Sequence, residues 1–177
     1  MTDEQLLQGC KEKNLAAQKQ LYDRFAKKMM GVCLRYADST AEAQDTLQDG
    51  FIKVFEKINS YHATGSLEGW IKKVMVNTAL DNFRKQKHER NNVEIDISTI
   101  NRSSYEEAHD NLSAKELLNI IQQLPAGYRT VFNLYAIEGY SHKEISELLG
   151  ITESTSKSQY SRAKLHLQKK IQLENIY

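Results

Sequence analysis

Apolar residues return at intervals of three and four along most of this chain. Leu21, Phe25, Met29, Val32, Cys33 and Tyr36 form one such series, which predicts a helix with one buried stripe, capped by Asn14 and running to about Tyr36. Ahead of it, Thr2 and Gln5 have the spacing of a capping box, in which hydroxyl and amide each satisfy an exposed backbone N–H, and a short helix is expected to about Lys13. A third helix is expected after Ser39 or Thr40, with Leu47, Phe51, Val54, Phe55 and Ile58 on its apolar face and Glu42, Asp45, Asp49 and Glu56 on a different, solvent-directed side. A polar loop from Asn59 to Gly65 leads to Ser66, which is placed to cap a fourth helix carrying Trp70, Ile71, Val74, Met75, Leu80 and Phe83 and ending in the basic string FRKQKHER.

Four further helices are expected after residue 112. Ser113 and Glu116 suggest a capping box, with Leu117, Leu118, Ile121 and Leu124 as the buried stripe. Pro125 suits the first turn of the next helix, where a missing N–H costs nothing; Tyr128, Val131, Phe132 and Tyr135 are expected to point inward and Gly139 to end it. Ser141 with Glu144 gives another box and a short helix from Ile145 to Leu149, stopped by Gly150. Thr152 then caps a last helix to about Leu173. Between the two sets, Val93, Ile95 and Ile97 alternate with Glu94, Asp96 and Ser98, the period of extended chain, and with no second strand nearby this stretch reads as a linker.

Composition sharpens this picture at three points. One proline and eight glycines leave little material for the tight turns of a sandwich or barrel, which favours an all-α fold. Charge splits the chain: residues 1–90 carry 15 basic and 12 acidic groups, residues 91–116 carry two and six, and residues 117–177 carry seven and five. The expected architecture is therefore two small helical domains, 1–90 and 113–177, joined by an extended acidic linker, 91–112. Aliphatic runs reach about three residues, far short of the roughly 20 a membrane span needs, so a cytoplasmic protein is expected. Cys10 and Cys33 have neither CxxC spacing nor histidine partners, so neither a disulfide framework nor a metal site is expected, and no cofactor motif appears. No paired carboxylates, nucleophile–base constellation or phosphate loop argues for an enzyme.

Chemistry becomes specific in the last two helices. A short helix, a turn containing Gly150 and a longer helix opening with Ser, Thr, Lys and Gln have the form of a helix-turn-helix, whose second helix enters the DNA major groove by its N-terminus. From Ser154 to Leu173 there are five basic residues and no acidic one, which suits a helix lying along phosphates. A solvated basic face on an ordinary helical hairpin is the bland alternative.

The segment SHKEISELLGITESTSKSQYSRAKLHLQ resembles region 4 of the sigma-70 family of bacterial transcription initiation factors, and EAQDTLQDGFIKVFEKI followed by GWIKKVMVNTALDNFRKQK resembles its region 2. The resemblance covers about residues 5–88 and 112–172, in the family's order, and leaves no space for region 1.1 or a folded region 3. The chain thus resembles the extracytoplasmic-function (ECF) group. The resemblance implies that the third helix docks on the clamp helices of core RNA polymerase through Asp45, Gln48, Asp49 and the edge near Phe51. It also implies that the loop from Tyr61 to Ser66 lies beside an extruded base of the minus-10 element, and that Asn77, Asp81, Arg84 and Lys85 face the DNA strand. Melting would then be driven by binding energy alone. Trp70, at the head of an apolar stripe, is expected in the core.

For the minus-35 element the resemblance implies contacts from Thr152, Ser154, Thr155, Lys157, Ser158, Gln159, Ser161, Arg162 and Lys164. Two positions depart from the family: Ser156 stands where many members have a branched aliphatic, which questions the packing beneath it, and Gln159 where many have arginine. Glutamine pairs with adenine and arginine with guanine, so a shifted base preference is expected. Implied partners are core RNA polymerase, at clamp helices and flap, promoter DNA and an anti-sigma factor. About 22 linker residues reach at most roughly 75 Å, about two turns of DNA, enough to let two modules grip separated elements. The competing readings are a helix-turn-helix regulator that acts without polymerase docking, and a helical adaptor.

Overall fold

The structure, a computed structural model, describes residues 2–91 and 112–174. These residues are helical, with no strand among them. They fall into two compact units: one carries α1 to α4 apart from the short segment Arg35–Asp38, the other carries α5 to α8 and that segment. The alternating stretch 93–97 lies outside the described residues.

In the first unit α1 spans Asp3–Lys11, α2 Leu15–Tyr36, α3 Thr40–Lys57 and α4 Leu67–Asn91, with a 3-10 turn at Ile58–Ser60 after α3. The caps are those the sequence specifies. Thr2 and Gln5 form the full reciprocal box, Asn14 Oδ1 accepts from the N–H groups of Ala16 and Ala17, Ser39 Oγ from Glu42 and Ser66 Oγ from Gly69. Helix α1 stops two residues earlier than expected because the chain turns left-handed at Lys13, φ 58°, which returns Asn14 N–H to the Gly9 carbonyl. Leu6, Leu21, Met29, Val54, Ile58, Ile71, Met75 and Leu80 are fully buried. Phe51 is also buried, its ring 4.7 Å from that of Tyr22 and 6.1 Å from that of Phe55.

The second unit contains α5 (Leu112–Gln122), α6 (Ala126–Phe132), a π turn (Asn133–Ile137), α7 (His142–Leu149) and α8 (Glu153–Glu174). Its core joins Ile120 and Ile121 of α5, and Leu124 just after it, to Ala163 and Leu167 of α8, with Tyr128 and Phe132 packed alongside. Several boundaries differ from expectation. Ser113 lies inside α5 instead of capping it, since the helix begins at Leu112. Leu117 is 47 % exposed, and Ile120 takes the place it was expected to fill. Pro125 is the N-cap of α6, with extended ψ of 143°, so the first helical residue is Ala126. The chain then passes through the π turn before Gly139, φ 79°, reverses it, which leaves Tyr135 partly exposed. Helix α7 keeps its box: Glu144 N–H donates to Ser141 Oγ, and Glu144 accepts from Ser141 N–H at 2.8 Å. These bonds to Ser141 hold the Glu144 carboxyl below the usual carboxylate range. Gly150, at φ 63°, ends α7 in the left-handed conformation.

Gly9 is where α1 meets the start of α2: a Cβ there would lie 2.6 Å from the Cβ of Ala17, a short side chain with no rotamer to yield. Gly9→Ala is expected to lower stability by about 1–3 kcal/mol despite alanine's higher helix propensity, because overpacking outweighs the gain of about 1 kcal/mol. Urea unfolding followed by circular dichroism measures it; a stabilised variant would contradict this packing.

Candidate nucleic-acid interface

Helix α8 presents one buried and one outward face. Ser156 and Ala163 are fully buried and Leu167 nearly so. Ser154, Ser158 and Ser161, at spacings of four and three, are exposed along the opposite side together with Leu165, which is 56 % exposed. Thr152 caps the helix, its Oγ1 accepting from Thr155 N–H at 3.0 Å, so Thr152 and Thr155 build the helix start. Lys157 is exposed and pairs with Glu153 at 2.7 Å; the lysine's hydrogen bond and charge keep that carboxyl below its ordinary range. Arg162 donates to the Tyr128 hydroxyl at 3.3 Å, and the Lys164 ammonium lies 5.3 Å from the centre of the Tyr160 ring.

Gln159 is placed differently from the outward serines. Its side-chain amide lies over Gly127 of α6, where an added Cβ would stand 3.5 Å from Nε2. It is half-buried at the edge of α8, off the outward line, so the adenine contact expected of it does not follow from its position.

The question raised by Ser156 has a structural answer. Its buried hydroxyl meets Nδ1 of His142 at 2.9 Å, and the imidazole stacks on Tyr135, centroids 4.3 Å apart and planes within 12°. A polar pair from α7 and α8 thus replaces an aliphatic contact between the two helices of the motif. Desolvation and then the nearby Lys157 charge hold the imidazole below its ordinary value of 6.5, with Glu153 opposing them.

The first unit carries two more candidate surfaces, on α3 and α4. On α3, Asp45, Gln48 and Asp49 are exposed, with Ile52 among them at 56 % exposure and Glu56 one turn on. Phe51 corrects the expectation: it points into the core, and the apolar residue on this face is its neighbour Ile52. Spacing alone marks Ile52, since it follows Asp45 by seven, Gln48 by four and Asp49 by three.

On α4, Trp70, Lys73, Asn77, Asp81, Arg84 and His88 recur at three and four and are all exposed or half-exposed. Trp70 is half-buried instead of lying in the core, and its ring sits 5.5 Å from that of Tyr61. The Tyr61 hydroxyl donates to the Gly65 carbonyl, closing the loop that ends at the Ser66 cap. Ala63 in this loop holds a φ of 54°. Asn77 and Lys85 are exposed, whereas Asp81 is ion-paired to Lys53 at 3.1 Å and to Arg84 at 2.8 Å. Lys53, Lys73 and Glu153 were not among the expected site residues; Lys73 was detectable, standing three after Trp70 and four before Asn77. Among the described residues no cluster of His, Cys, Asp or Glu has the form of a metal site, and no helix is long and apolar enough to cross a membrane.

Comparison with known proteins matches both parts of the chain to one family. Residues 21–89 match the model for sigma-70 region 2 and residues 114–167 the model for sigma-70 region 4. The ECF RNA polymerase sigma-E factor of Haemophilus influenzae is 26 % identical over 183 residues, covering 97 % of this chain and 96 % of the relative. The ECF RNA polymerase sigma factor SigW of Bacillus subtilis is 28 % identical over 85 % of this chain and 87 % of its own length. Among solved structures, the sigma factor RpoE of Bartonella quintana, in complex with the anti-sigma factor NepR, superposes with a TM-score of 0.57 at 21 % identity, over 87 % of this chain and 96 % of that one. CnrH, in complex with the cytosolic domain of CnrY, gives 0.51 at 19 % identity over 97 % of both chains. The chain belongs to the sigma-70 family, whose members are non-enzymatic transcription initiation factors, and is an RNA polymerase sigma factor of the extracytoplasmic-function type.

The His142–Ser156 pair predicts a pH dependence. The imidazole titrates below its unfolded value, so its neutral form stabilises the fold; this contribution is complete above pH 6.5 and is lost as pH falls toward the folded value. Thermal unfolding between pH 7.5 and 5.5 should show a fall in melting temperature that shrinks in His142→Gln; an equal fall in both proteins would contradict the assignment.

Proposed function

We propose that the chain carries core RNA polymerase to promoters through three surfaces held on two helical modules, residues 1–90 as region 2 and 113–177 as region 4, with 91–112 between them. Asp45, Gln48, Asp49 and Glu56 surround Ile52 on α3 and fit a docking face for the polymerase clamp helices: an apolar centre supplies affinity, and carboxylates supply orientation and on-rate against a basic partner. The stripe on α4, headed by the Tyr61–Trp70 pair and followed by Lys73, Asn77, Arg84 and Lys85, fits a surface that holds the opened minus-10 strand. Helix α8 reads the minus-35 element, its outward serines facing base edges while Lys157, Arg162 and Lys164 serve phosphates. The second module also meets the polymerase flap.

The observation that carries this reading is the pairing of an acidic face on α3 with a cationic, aromatic stripe on α4 inside one packed unit, in a chain that also holds the helix-turn-helix. A regulator working without polymerase has no use for the α3 face. The work is done in the cytoplasm, and the superposed sigma factor of Bartonella quintana, bound to an anti-sigma factor, supports an anti-sigma partner for this chain as well.

Asp49→Arg tests the reading. Asp49 is exposed, so the change should leave stability within about 0.5 kcal/mol. Promoter-specific transcripts made with bacterial core RNA polymerase are expected to fall at least about tenfold, equivalent to about 1.4 kcal/mol of docking energy. A variant that transcribes normally, or a native chain indifferent to core polymerase, would favour the regulator reading.

A further inference from the structure

Asp81 stands on the outward stripe of α4, where a carboxylate facing DNA is electrostatically unfavourable unless it has a task. One task is base readout, by accepting from an exocyclic amino group. The structure gives both carboxylate oxygens other partners: Oδ2 accepts from Lys53 Nζ at 3.1 Å and Oδ1 from Arg84 Nη1 at 2.8 Å. A base reaching Asp81 would have to share the carboxylate with two cations already bound to it. The three side chains keep 48 % (Asp81), 34 % (Lys53) and 43 % (Arg84) of their surface exposed, so solvent and a ligand reach all of them.

Lys53 belongs to α3, the helix of the docking face, yet its ammonium reaches across to the α4 stripe. Its neighbour Ile52 lies on the acidic face. Along the α3–α4 seam, Thr46 accepts from Asn82 at 2.9 Å and Glu42 from Gln86 at 2.7 Å, which fixes the register that brings Lys53 to Asp81. Asp81 restrains an ammonium and a guanidinium side by side, so less rotamer entropy is lost when a phosphate arrives.

We infer that Asp81 is a positioning residue that aims Lys53 and Arg84 together at the phosphate backbone of a separated DNA strand, and that Lys53 belongs to the strand-holding surface although α3 carries it. This rests on the proposed role of α4. It gives Asp81 a function distinct from base contact, and it joins the docking helix to the strand-holding helix through one ion triad.

The test uses the full chain and a fluorescein-labelled dT oligomer of about 20 nucleotides, since backbone contacts are indifferent to base. Anisotropy titrations over a series of KCl concentrations give affinity and salt slope for the native chain, Lys53→Gln, Asp81→Asn and the double variant. Lys53→Gln is expected to weaken binding about threefold to tenfold at low salt and to flatten the log–log slope by about 0.7, the value for one single-strand phosphate contact. In the Asp81→Asn background the same lysine change should cost clearly less, and Asp81→Glu should restore the full effect. An unchanged slope in Lys53→Gln, or a native chain that does not bind the oligomer, overturns the inference. An equal lysine effect in both backgrounds overturns the role given to Asp81. Promoter-specific transcription with core polymerase, run in parallel, separates this from failure of the wider reading: transcription by the native chain without a lysine effect sinks the triad alone. Circular dichroism melts confirm that each variant is folded.

Discussion

The crossing of α3 over α4 at Gly50 is the constraint on which the first unit depends. A Cβ at Gly50 would fall 2.2 Å from Met75 Sδ, and Met75 has no exposed surface into which it could retreat, so the helices lie as close as they do because that position has no side chain. Close-packed interiors transmit displacement instead of absorbing it. The acidic face around Ile52 and the stripe from Trp70 to His88 are therefore parts of one rigid pair, and a partner seated on α3 also fixes the orientation of α4. On the proposed reading of these two faces, such rigidity converts docking energy on α3 into a correctly placed strand-holding surface on α4.

The second unit solves a different problem, how to present a helix end to a groove. Helix α8 is anchored along its middle by Ala163 and Leu167 against α5, while its start is held to α7 by Ser156 and His142. The serine costs apolar contact between the two helices, and the imidazole recovers it by filling the space and partnering the hydroxyl. Aromatic rings extend the same support outward: Tyr160 lies 4.5 Å from Tyr135 and 6.1 Å from Phe132, with Lys164 over its face. The first turns of α8 are thus held without large outward side chains, which leaves the serine line free to approach a groove floor.

Much of this was legible in the sequence because caps are local. Thr2 with Gln5, Asn14, Ser39, Ser66, Ser141 with Glu144, Gly150 and Thr152 each do what their spacing says, since a capping bond involves residues two or three apart and little else. The misreadings arise where tertiary packing decides. Ser113 has the spacing of a cap yet lies within α5, and Leu117 has the periodicity of a core residue yet stays 47 % exposed while Ile120 and Ile121 are buried. Phe51 is buried beside Tyr22 and Phe55, as its place in the apolar series says, so the docking edge implied there by the resemblance falls to its exposed neighbour Ile52. Trp70 was assigned to the core by its stripe, but the loop folding back through Tyr61 gives it a half-exposed aromatic partner. Lys53 was invisible as a site residue because its relevance is a contact to a residue 28 positions away.

The charge distribution carries one more argument. With 24 basic and 23 acidic residues the chain has almost no net attraction for nucleic acid, and the start of α8 repeats that balance locally, where Glu153 holds Lys157. Exposed pairs of this kind contribute little to stability. Their effect is on binding, because a lysine engaged with a carboxylate gains less from a random phosphate than a free one does, which lowers affinity for the vast excess of non-specific DNA. Affinity then accumulates only when several weak surfaces engage together and each raises the effective concentration of the next. On the proposed reading Glu153 contributes to specificity: it lowers the affinity of α8 for random duplex and leaves selection to the assembled polymerase, where docking through α3 offsets what the paired lysine gives up.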